Sequence, residues 1–552
     1  MPQKYHLIGS MTGVLLAAAY PPIPLSLMAF VAFIPLIYSL ERENPPRKPY
    51  LLIYTAFFIY NAGANWWVGS WQEYTDPYLM ASGVALALVH PVFFLVPMVI
   101  FRIIRSRFGR TAALWMFPAI WTSFEWVHSL GDLSYPWLTL GYTQIYNTYW
   151  IQIADSGGVW LASFIIVTIN VIFLNLIFRF RDQTKRRTGR ARFARPPGMI
   201  RSFFVVGLLL VIPMIYGFVR IEQFNHEELV HRNETMKFGI IQPTIDPWQK
   251  WKESVMGQIR IHQHIQDSLR QAYGPIDCAI WSETAIPFVS TNFNAEHDFS
   301  FLQRWVDSSG VSLLTGMSDY YFYEEGETRS PMAHFINGDT SRAYLAYNAA
   351  VLINPGRRNP DQVEIHRKMR LTPFSERLPY AEIFFFARSW FEWNVGISSW
   401  GKGKIQQPLN IYTNGDSVKI GPIICIESIY PRFVAEFTEK GARVLSVITN
   451  DAWYNYTVGP EQHYLIAAMR AIENRRYILR CANSGISGVI TPKGNSLIRA
   501  RQYDRVGIAA EVPLMDYKTL YVQYGDWVPV LSTLAVIIAL ISAYYQKRRN
   551  AY

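Results

Sequence analysis

Residues 420–430 read IGPIICIESIY, an apolar run that ends at Cys425 and passes into a polar, helix-compatible segment. This pattern predicts a buried β-strand followed by a turn. A nucleophile at the end of a strand is exposed at a sharp turn, near backbone N–H groups that bind an oxyanion. Cys425 is therefore a candidate nucleophile, although burial as a small apolar side chain is the commoner fate of a cysteine.

The surrounding segment, residues 220–526, alternates strand-like and helix-like patterns. Short β-rich runs lie at 238–242, 278–281, 312–316, 349–353, 420–424, 444–448 and 488–491. Residues 252–272 are polar with recurrent apolar positions, and residues 462–474 are rich in helix-forming residues. Strands interleaved with helices predict an α/β domain.

The rest of the chain is typical of a membrane protein. Half of the 552 residues are hydrophobic and only 17% are charged. Apolar stretches that approach the roughly 20 residues of a bilayer span lie near 6–20, 23–40, 51–67, 79–101, 112–127, 159–178, 202–219 and 527–545. We therefore expect a polytopic α-helical membrane domain at 1–219 with seven spans, the α/β domain at 220–526, and an eighth span with a tail at 527–552.

The distribution of basic residues predicts the orientation. The net charge of +11 suits either nucleic acid or anionic lipid, but the basic residues cluster at the ends of apolar stretches. Basic loops hold Arg42, Arg47 and Lys48; Arg102, Arg105, Arg107 and Arg110; and a third run at 179–201. Loops 68–78 and 128–158 contain no Lys or Arg. The positive-inside rule then places both termini in the cytoplasm and residues 220–526 outside, and no nucleic-acid partner is expected.

Cysteine and metal-ligand patterns exclude several kinds of site. Cys278, Cys425 and Cys481 are widely spaced and form no CxxC pair, so they indicate neither a disulfide framework nor a cysteine-based metal centre. No His, Asp and Glu cluster has metal-ligand spacing, and neither GxGxxG nor a P-loop occurs. We expect no metal and no cofactor.

Two further segments carry candidate catalytic groups. In AIWSETAIP (279–287), Glu283 follows a strand-like run and becomes a general base if its surroundings raise its pKa. In EIHRKMRLTPFSERLPY (364–380), Lys368 and Glu376 lie beside apolar residues, and a fixed ammonium there would stabilise an oxyanion. Taken singly, an exposed loop glutamate and a solvated basic surface are the simpler interpretations.

Together these segments resemble the nitrilase superfamily, a four-layer α-β-β-α sandwich with a Glu–Lys–Cys triad. The nearer resemblance, over the whole chain, is to the apolipoprotein N-acyltransferase family, which places this domain between membrane spans seven and eight. The resemblance implies Glu283 as general base, Lys368 as catalytic lysine and Cys425 as nucleophile. It further implies supporting roles for Glu376, in KMRLTPFSERLP, and for Glu427, in IICIES.

Two other segments resemble substrate-binding regions of that family. QPTIDPWQKW (242–251) and TNDAWYNYTVGPEQH (449–463) place aromatic residues of the family site on Trp251 and Trp453. Departures also occur: Ile426 replaces a tyrosine after the nucleophile, Arg367 replaces a tyrosine, and Ser375 replaces a glycine. The Ile426 backbone N–H, which an oxyanion hole needs, is retained.

The resemblance implies a monomeric bacterial inner-membrane enzyme whose catalytic domain faces the periplasm. It would transfer an acyl chain from a phospholipid, through a Cys425 thioester, to the N-terminal amine of diacylglyceryl-cysteine in apolipoproteins. Three alternatives stay open: a membrane-anchored nitrilase-like amidase, a non-catalytic lipoprotein-binding homologue, and a transporter whose main intramembrane charge is Glu125. A papain-like pair of His463 with Cys425 is a weaker possibility.

Overall fold

The computed structural model describes residues 2–42, 45–71, 75, 77–186, 198–231, 234–250, 254–287, 297–336, 338–356, 363–384, 386, 400–413 and 416–549. The chain forms two compact units. One comprises Met1–Leu130, Tyr135–Gln223 and Tyr524–Tyr552, and the other comprises Gly131–Ser134 and Phe224–Gln523.

The first unit is helical. Its helices are α1 (Pro2–Ala19), α2 (Ile34–Leu40), α3 (Pro49–Asn65), α4 (Pro77–Phe93), α5 (Leu95–His128), α6 (Ala154–Arg186), α7 (Met199–Val230) and α14 (Trp527–Arg549). Among the described residues, four segments are long and apolar enough to cross a membrane: Leu79–His128, Trp150–Thr184, Met199–Val230 and Trp527–Arg548. Each of the eight predicted stretches contains helix, but the count of eight spans and their orientation stay predictions.

The longest of these segments covers two predicted spans. Gly109 adopts a φ of +84° inside α5, where regular helix geometry is lost. A bend of this kind separates residues 79–101 from residues 112–127, as two spans would require. The intramembrane candidate Glu125 is buried in the second part of α5, where its Oε1 accepts hydrogen bonds from Trp121 Nε1 (2.8 Å) and from the Leu140 backbone N–H (2.7 Å).

The second unit contains two β-sheets. The strands are β1 (Thr235–Gln242), β2 (Cys278–Trp281), β3 (Ser312–Phe322), β4 (His334–Ile336), β5 (Asp339–Ile353), β6 (Glu364–Arg367), β7 (Leu409–Thr413), β8 (Asp416–Ile424), β9 (Val444–Thr449), β10 (Ile478–Ala482), β11 (Gly488–Ile490), β12 (Ser496–Arg499) and β13 (Val506–Pro513). One sheet has the order β13-β1-β2-β3-β5-β4 with β6 beside β5, and the other has the order β12-β11-β10-β9-β8-β7. Strands β1, β2 and β3 are parallel, as are β8, β9 and β10.

Helices cover the sheets and give four layers. They are α8 (Val255–Tyr273), α9 (His297–Ser309), α10 (Ala381–Phe384), α11 (Pro431–Glu439), α12 (Gly459–Asn474) and α13 (Leu520–Tyr524). Ile240 of β1 packs with Ile424 of β8 and Leu479 of β10, in the core between the two sheets. The next residue, Ile241, faces the opposite way and packs with Leu269 of α8. This alternation is the two-residue period of a strand, and it places α8 and α9 on the first sheet.

The second sheet is covered in the same way. Ile420 of β8 faces the core between the sheets, so its neighbour Gly421 faces outward. A Cβ on Gly421 would lie 2.9 Å from Phe437 of α11, which shows how closely this helix packs. Helix α12 packs on β10 and β11. The predicted α/β domain is therefore an α-β-β-α sandwich.

A strand lies at each of the seven predicted β-rich runs, and α8 and α12 lie at the predicted helical stretches. The sequence does not predict β4, β6, β7, β10, β12 and β13. Strands β12 and β10 show why the sequence pattern fails to predict them. All residues of β12 are exposed, and the buried strand β10 contains Arg480, which periodicity assigns to the surface.

Candidate active site

The three candidate catalytic residues each follow the end of a strand. Glu283 lies two residues after β2, Lys368 directly follows β6, and Cys425 directly follows β8. Strands β2 and β8 belong to the central parallel parts of the two sheets. The carboxyl ends of parallel strands meet at one edge of a sheet, which is the usual place for polar site residues.

Lys368 joins two carboxylates in a buried pocket. Its Nζ donates hydrogen bonds to Glu283 Oε1 (3.0 Å) and to Glu376 Oε1 (2.8 Å). The three residues are 1%, 5% and 8% exposed, respectively. The structure therefore brings together three groups that lie up to 93 positions apart in the chain, from 283 to 376.

The charges of this cluster stabilise one another. Burial alone would lower the pKa of Lys368, but the carboxylates of Glu283 and Glu376 outweigh burial and raise that pKa well above its ordinary value. Burial would raise the pKa of Glu376, but Lys368 and two hydrogen bonds from Thr372 lower it. Lys368 is thus a fixed ammonium, and Glu376 is a fixed carboxylate.

Two asparagines orient the Glu283 carboxylate. Asn348 Nδ2 donates to Glu283 Oε1 (2.8 Å) and to Glu376 Oε1 (3.2 Å). The backbone N–H of Asn450 donates to Glu283 Oε2 (3.0 Å). Sequence reasoning missed Asn348, although an amide at the start of the apolar run 349–353 of a buried strand is a detectable signal. Each Glu283 oxygen therefore has a fixed donor.

A second buried lysine supports the turn that carries Glu283. Lys250 Nζ donates to the Glu283 backbone carbonyl (3.1 Å) and to Thr284 Oγ1 (2.9 Å). Thr284 adopts a φ of +47°, and Gly316 of β3 approaches it so closely that a Cβ there would lie 2.4 Å from the Thr284 nitrogen. Burial lowers the pKa of Lys250 to about 7, although the Glu283 charge opposes this shift. Sequence reasoning missed Lys250, while the neighbouring candidate Trp251 lies outside the described residues.

Cys425 begins the short 3₁₀ helix Cys425–Ile429 with a φ of +49°. A left-handed backbone at a non-glycine residue is uncommon and marks a sharp turn. The residue is half-buried, and Ile426 after it is buried. Burial raises the pKa of the Cys425 thiol, the Glu283 charge raises it further, and Lys368 opposes both. The thiol is therefore neutral at rest.

Glu427 links the nucleophile turn to the lysine segment. Its Oε2 accepts a hydrogen bond from the Ile424 N–H (2.8 Å) and lies 3.1 Å from His366 Nε2. Its Oε1 accepts one from the Met369 N–H (2.7 Å). Because Glu427 is fully buried, these hydrogen bonds hold the two backbone segments in place.

His463 contacts the backbone of the nucleophile turn. Its Nε2 lies 3.2 Å from the Cys425 carbonyl oxygen and 2.8 Å from Ser428 Oγ, and its Nδ1 lies 2.9 Å from Asp451 Oδ1. Asp451 is also paired with the buried Arg480, at 2.6 Å. These contacts place His463 in a chain of polar groups below the turn, and they differ from a papain-like His–Cys pair.

Trp453 lies on the 3₁₀ helix Asp451–Tyr454, at the carboxyl end of β9. Its half-buried ring packs edge-on against Trp248, with centroids 4.9 Å apart and planes at 90°. Among the described residues, no group of three His, Cys, Asp or Glu side chains is arranged to hold a metal ion.

Comparisons with known proteins cover both units. Residues 12–172 match the family model "Apolipoprotein N-acyltransferase N-terminal domain", and residues 239–519 match the family model "Carbon-nitrogen hydrolase". The apolipoprotein N-acyltransferase of Chlorobaculum tepidum is 32% identical over 550 residues, covering 98% of this chain and 97% of the relative. That of Geobacter metallireducens is 28% identical and covers 98% and 96%.

Solved structures of nitrilase-superfamily proteins are similar to part of the chain. The nitrilase superfamily member Nit3 of Saccharomyces cerevisiae covers 51% of this chain and 90% of its own, with 16% identity and a TM-score of 0.36. The near full-length relatives and the two family models carry the family assignment.

Proposed function

This chain belongs to the apolipoprotein N-acyltransferase family, and from that premise we propose that it transfers an acyl chain from a membrane phospholipid to apolipoproteins. It is a bacterial membrane acyltransferase of the nitrilase superfamily. The acceptor that we propose is the N-terminal amine of diacylglyceryl-cysteine, and the intermediate is a thioester on Cys425.

The buried Glu283–Lys368–Glu376 cluster is the observation that carries the proposed mechanism. Lys368 Nζ lies within 3.0 Å of both carboxylates, so its positive charge persists although the side chain is buried. At rest the two carboxylates outnumber the ammonium by one charge, and protonation of Glu283 would leave Lys368 beside one charged carboxylate, Glu376. An oxyanion that forms beside this ammonium is stabilised by a fixed charge that needs no reorganisation.

The first half-reaction acylates Cys425. Glu283 takes the thiol proton as the sulfur attacks an acyl ester of the phospholipid, because the neutral thiol is a weak nucleophile. Lys368 and the Ile426 backbone N–H stabilise the tetrahedral oxyanion. The intermediate then collapses: the ester C–O bond breaks, Glu283 returns the proton to the leaving oxygen, and a lysophospholipid departs.

The second half-reaction forms an amide. The amine of diacylglyceryl-cysteine attacks the thioester carbonyl, and Glu283 accepts the amine proton. The C–S bond breaks, the amide is released, and the thiolate recovers the proton from Glu283. Exclusion of water by a lipid-facing site protects the thioester between the two steps.

We propose the membrane arrangement that suits these substrates. Residues 1–219 supply seven spans, 527–552 supply the eighth span and a tail, and the periplasmic catalytic domain at 220–526 works beside the outer leaflet. Removing a lipid chain from the bilayer costs about 0.8 kcal/mol per CH₂, so both lipids enter laterally. Trp251 and Trp453 are proposed to line this entrance, and the enzyme to act as a monomer.

The proposal is tested by separating the two half-reactions. Purified protein incubated with phospholipid gains the mass of one acyl chain on Cys425, whereas a Cys425→Ala variant does not. Addition of a diacylglyceryl-cysteine peptide then yields N-acyl peptide at a matching rate. Acylation of the Cys425→Ala variant contradicts the mechanism, and release of free fatty acid in place of amide supports the amidase alternative.

A further inference from the structure

A second polar pocket lies in the catalytic unit, lined by the segment directly after Lys368. Its lining includes three cations and one carboxylate: Arg370, Arg377, Lys402 and Asp132. We propose that this pocket binds the phosphate group of the acyl-donor lipid. The inference rests on the proposed function, because it assigns a part of the donor to a place near the catalytic lysine.

Arg370 is held in position, and its charge is not neutralised. Its guanidinium lies over the Tyr430 ring, 5.1 Å from the centroid, and within the described part of the chain no carboxylate pairs with it. Tyr430 is itself fixed, since its hydroxyl donates to the Ser134 carbonyl (3.2 Å). The Arg370 backbone N–H donates to Glu427 (3.3 Å), the residue that also holds the nucleophile turn. A fixed guanidinium without a counter-ion is prepared for an anionic ligand.

The other two cations, Arg377 and Lys402, have partners that satisfy only part of their charge and hydrogen-bonding capacity. Arg377 donates to the Trp400 carbonyl (3.1 Å) and pairs with Glu382, a side chain that is 63% exposed. The Nε of Arg377 is buried and has no hydrogen-bond partner among the described residues. Lys402 pairs with Asp132 at 2.9 Å, and this carboxylate opposes an anion. The lining is therefore positive overall. At least one buried donor, Arg377 Nε, has no acceptor among the described residues.

A phosphate fits this arrangement better than other lipid groups. Guanidinium and ammonium groups that line one pocket bind phosphate oxygens through charge-assisted hydrogen bonds. In a glycerophospholipid, the acyl esters and the phosphate are attached to the same glycerol. An ester carbonyl at Cys425 thus keeps the phosphate close to the segment that follows Lys368.

A phosphate subsite would also explain which of the two lipid substrates acylates Cys425. Both proposed substrates present acyl esters of glycerol, but the diacylglyceryl-cysteine acceptor carries no phosphate. A phosphate subsite favours the phospholipid as the group that acylates Cys425. The acceptor's own esters are then poor donors, which protects it from losing its chains.

The test compares two donors, phosphatidylglycerol and diacylglycerol, of which only the first carries a phosphate. Arg370→Gln is expected to slow acylation of Cys425 by phosphatidylglycerol by about 10- to 100-fold, the scale of one hydrogen bond to a charged group. Acylation by diacylglycerol stays unchanged, and Arg370→Lys retains most of the phosphatidylglycerol rate. Lys404→Gln removes the same charge from an exposed neighbouring position and is expected to have no effect. Equal slowing with both donors overturns the inference.

Measurements of lipid binding test the subsite without depending on catalytic turnover. In a Cys425→Ala background, short-chain phosphatidylglycerol is expected to bind more tightly than diacylglycerol, and Arg370→Gln is expected to abolish the difference. If the wild type is acylated by no lipid, the proposed mechanism fails, and equal binding of both lipids overturns the subsite separately. If Arg370→Gln abolishes binding of inorganic phosphate but changes neither lipid, the site serves a free anion, and the lipid assignment is wrong.

Discussion

At the scale of single residues, the proposed chemistry depends on how Glu283 and Lys368 act on the Cys425 thiol. Burial and the Glu283 charge raise the pKa of that thiol, and Lys368 only partly opposes them. A preformed thiolate would react with small electrophiles and oxidants. In the proposed mechanism the thiol instead stays neutral until a substrate ester arrives, and Glu283 then takes the proton during attack.

This electrostatic arrangement predicts opposite effects of one substitution. Glu283→Gln removes the negative charge, so the pKa of the Cys425 thiol falls and its alkylation by iodoacetamide at pH 8 is expected to accelerate several-fold. Enzymatic turnover is expected to fall by about 10²- to 10⁴-fold because the proposed general base is lost. The exposed Glu325→Gln serves as a matched control with neither effect. Slower alkylation accompanying the loss of turnover would contradict the electrostatic argument.

Lys250 predicts a pH dependence of stability. Its pKa is about 7 in the folded protein against an ordinary value of 10.5, so the unfolded chain binds one more proton between these pH values. Stability from this group is fully present above about pH 10.5 and is lost as pH falls toward 7. The change is about 1.4 kcal/mol per pH unit within this window. Lys250→Met removes the dependence.

Thermal unfolding in detergent measures this effect. The melting temperature of the wild type relative to Lys250→Met is expected to rise by several degrees between pH 7 and pH 9. The exposed Lys440→Met is the control and follows the wild type at every pH. A constant difference between wild type and Lys250→Met would show that the buried lysine keeps an ordinary pKa.

At the scale of structural elements, the nucleophile turn is supported by three neighbouring elements. The Cys425 carbonyl accepts a hydrogen bond from Ser428 Oγ (2.8 Å) within its own 3₁₀ helix. His463 of α12 contacts both groups, Asp451 precedes α12, and Arg480 comes from β10. This series of polar contacts fixes the carbonyl of Cys425, a residue with positive φ. It therefore also fixes the direction of the Ile426 N–H, which belongs to the same peptide group.

Two substitutions among these polar residues are expected to have different effects, one on the rate and one on stability. His463→Ala lowers the acylation rate by about tenfold without large destabilisation, because the turn loses the contacts of this ring with Ser428 Oγ and the Cys425 carbonyl. Asp451→Asn leaves the buried Arg480 without its carboxylate and is expected to cost about 3 kcal/mol of folding free energy. Glu461→Gln on the same helix, which breaks a partly exposed pair with Arg499, changes neither rate nor melting temperature. A stable Asp451→Asn variant with full activity would refute this account.

At the scale of the whole molecule, the orientation proposed for the catalytic unit depends on the basic loops. Fusions after Gln523 and after Tyr552, each made with alkaline phosphatase and with green fluorescent protein, test it. The phosphatase is expected to be active after Gln523, and the fluorescent protein after Tyr552. The reversed pattern at either position would exclude the arrangement of eight spans with both termini inside.

Several features of the molecule are predictable from local sequence. Hydrophobic stretches of bilayer length predict the helices near 159–178 and 202–219, since the length and apolarity of a span are local properties. Runs such as 278–281 predict strands for the same reason, and the motifs around Glu283, Lys368 and Cys425 point to the candidate groups. The family is also evident at this level, because the order of these motifs is a property of the chain.

The partners of those groups are decided only by the tertiary structure. Asn348 and Lys368 reach Glu283 because β5, β6 and the turn after β2 meet in the folded sandwich. Lys250 and His463 contact backbone carbonyls, and such contacts cannot be predicted from the residue type. Strand pairing and the stacking of four layers set these distances, so charges and donors far apart in the chain acquire their pKa values and roles only when the fold excludes water around them.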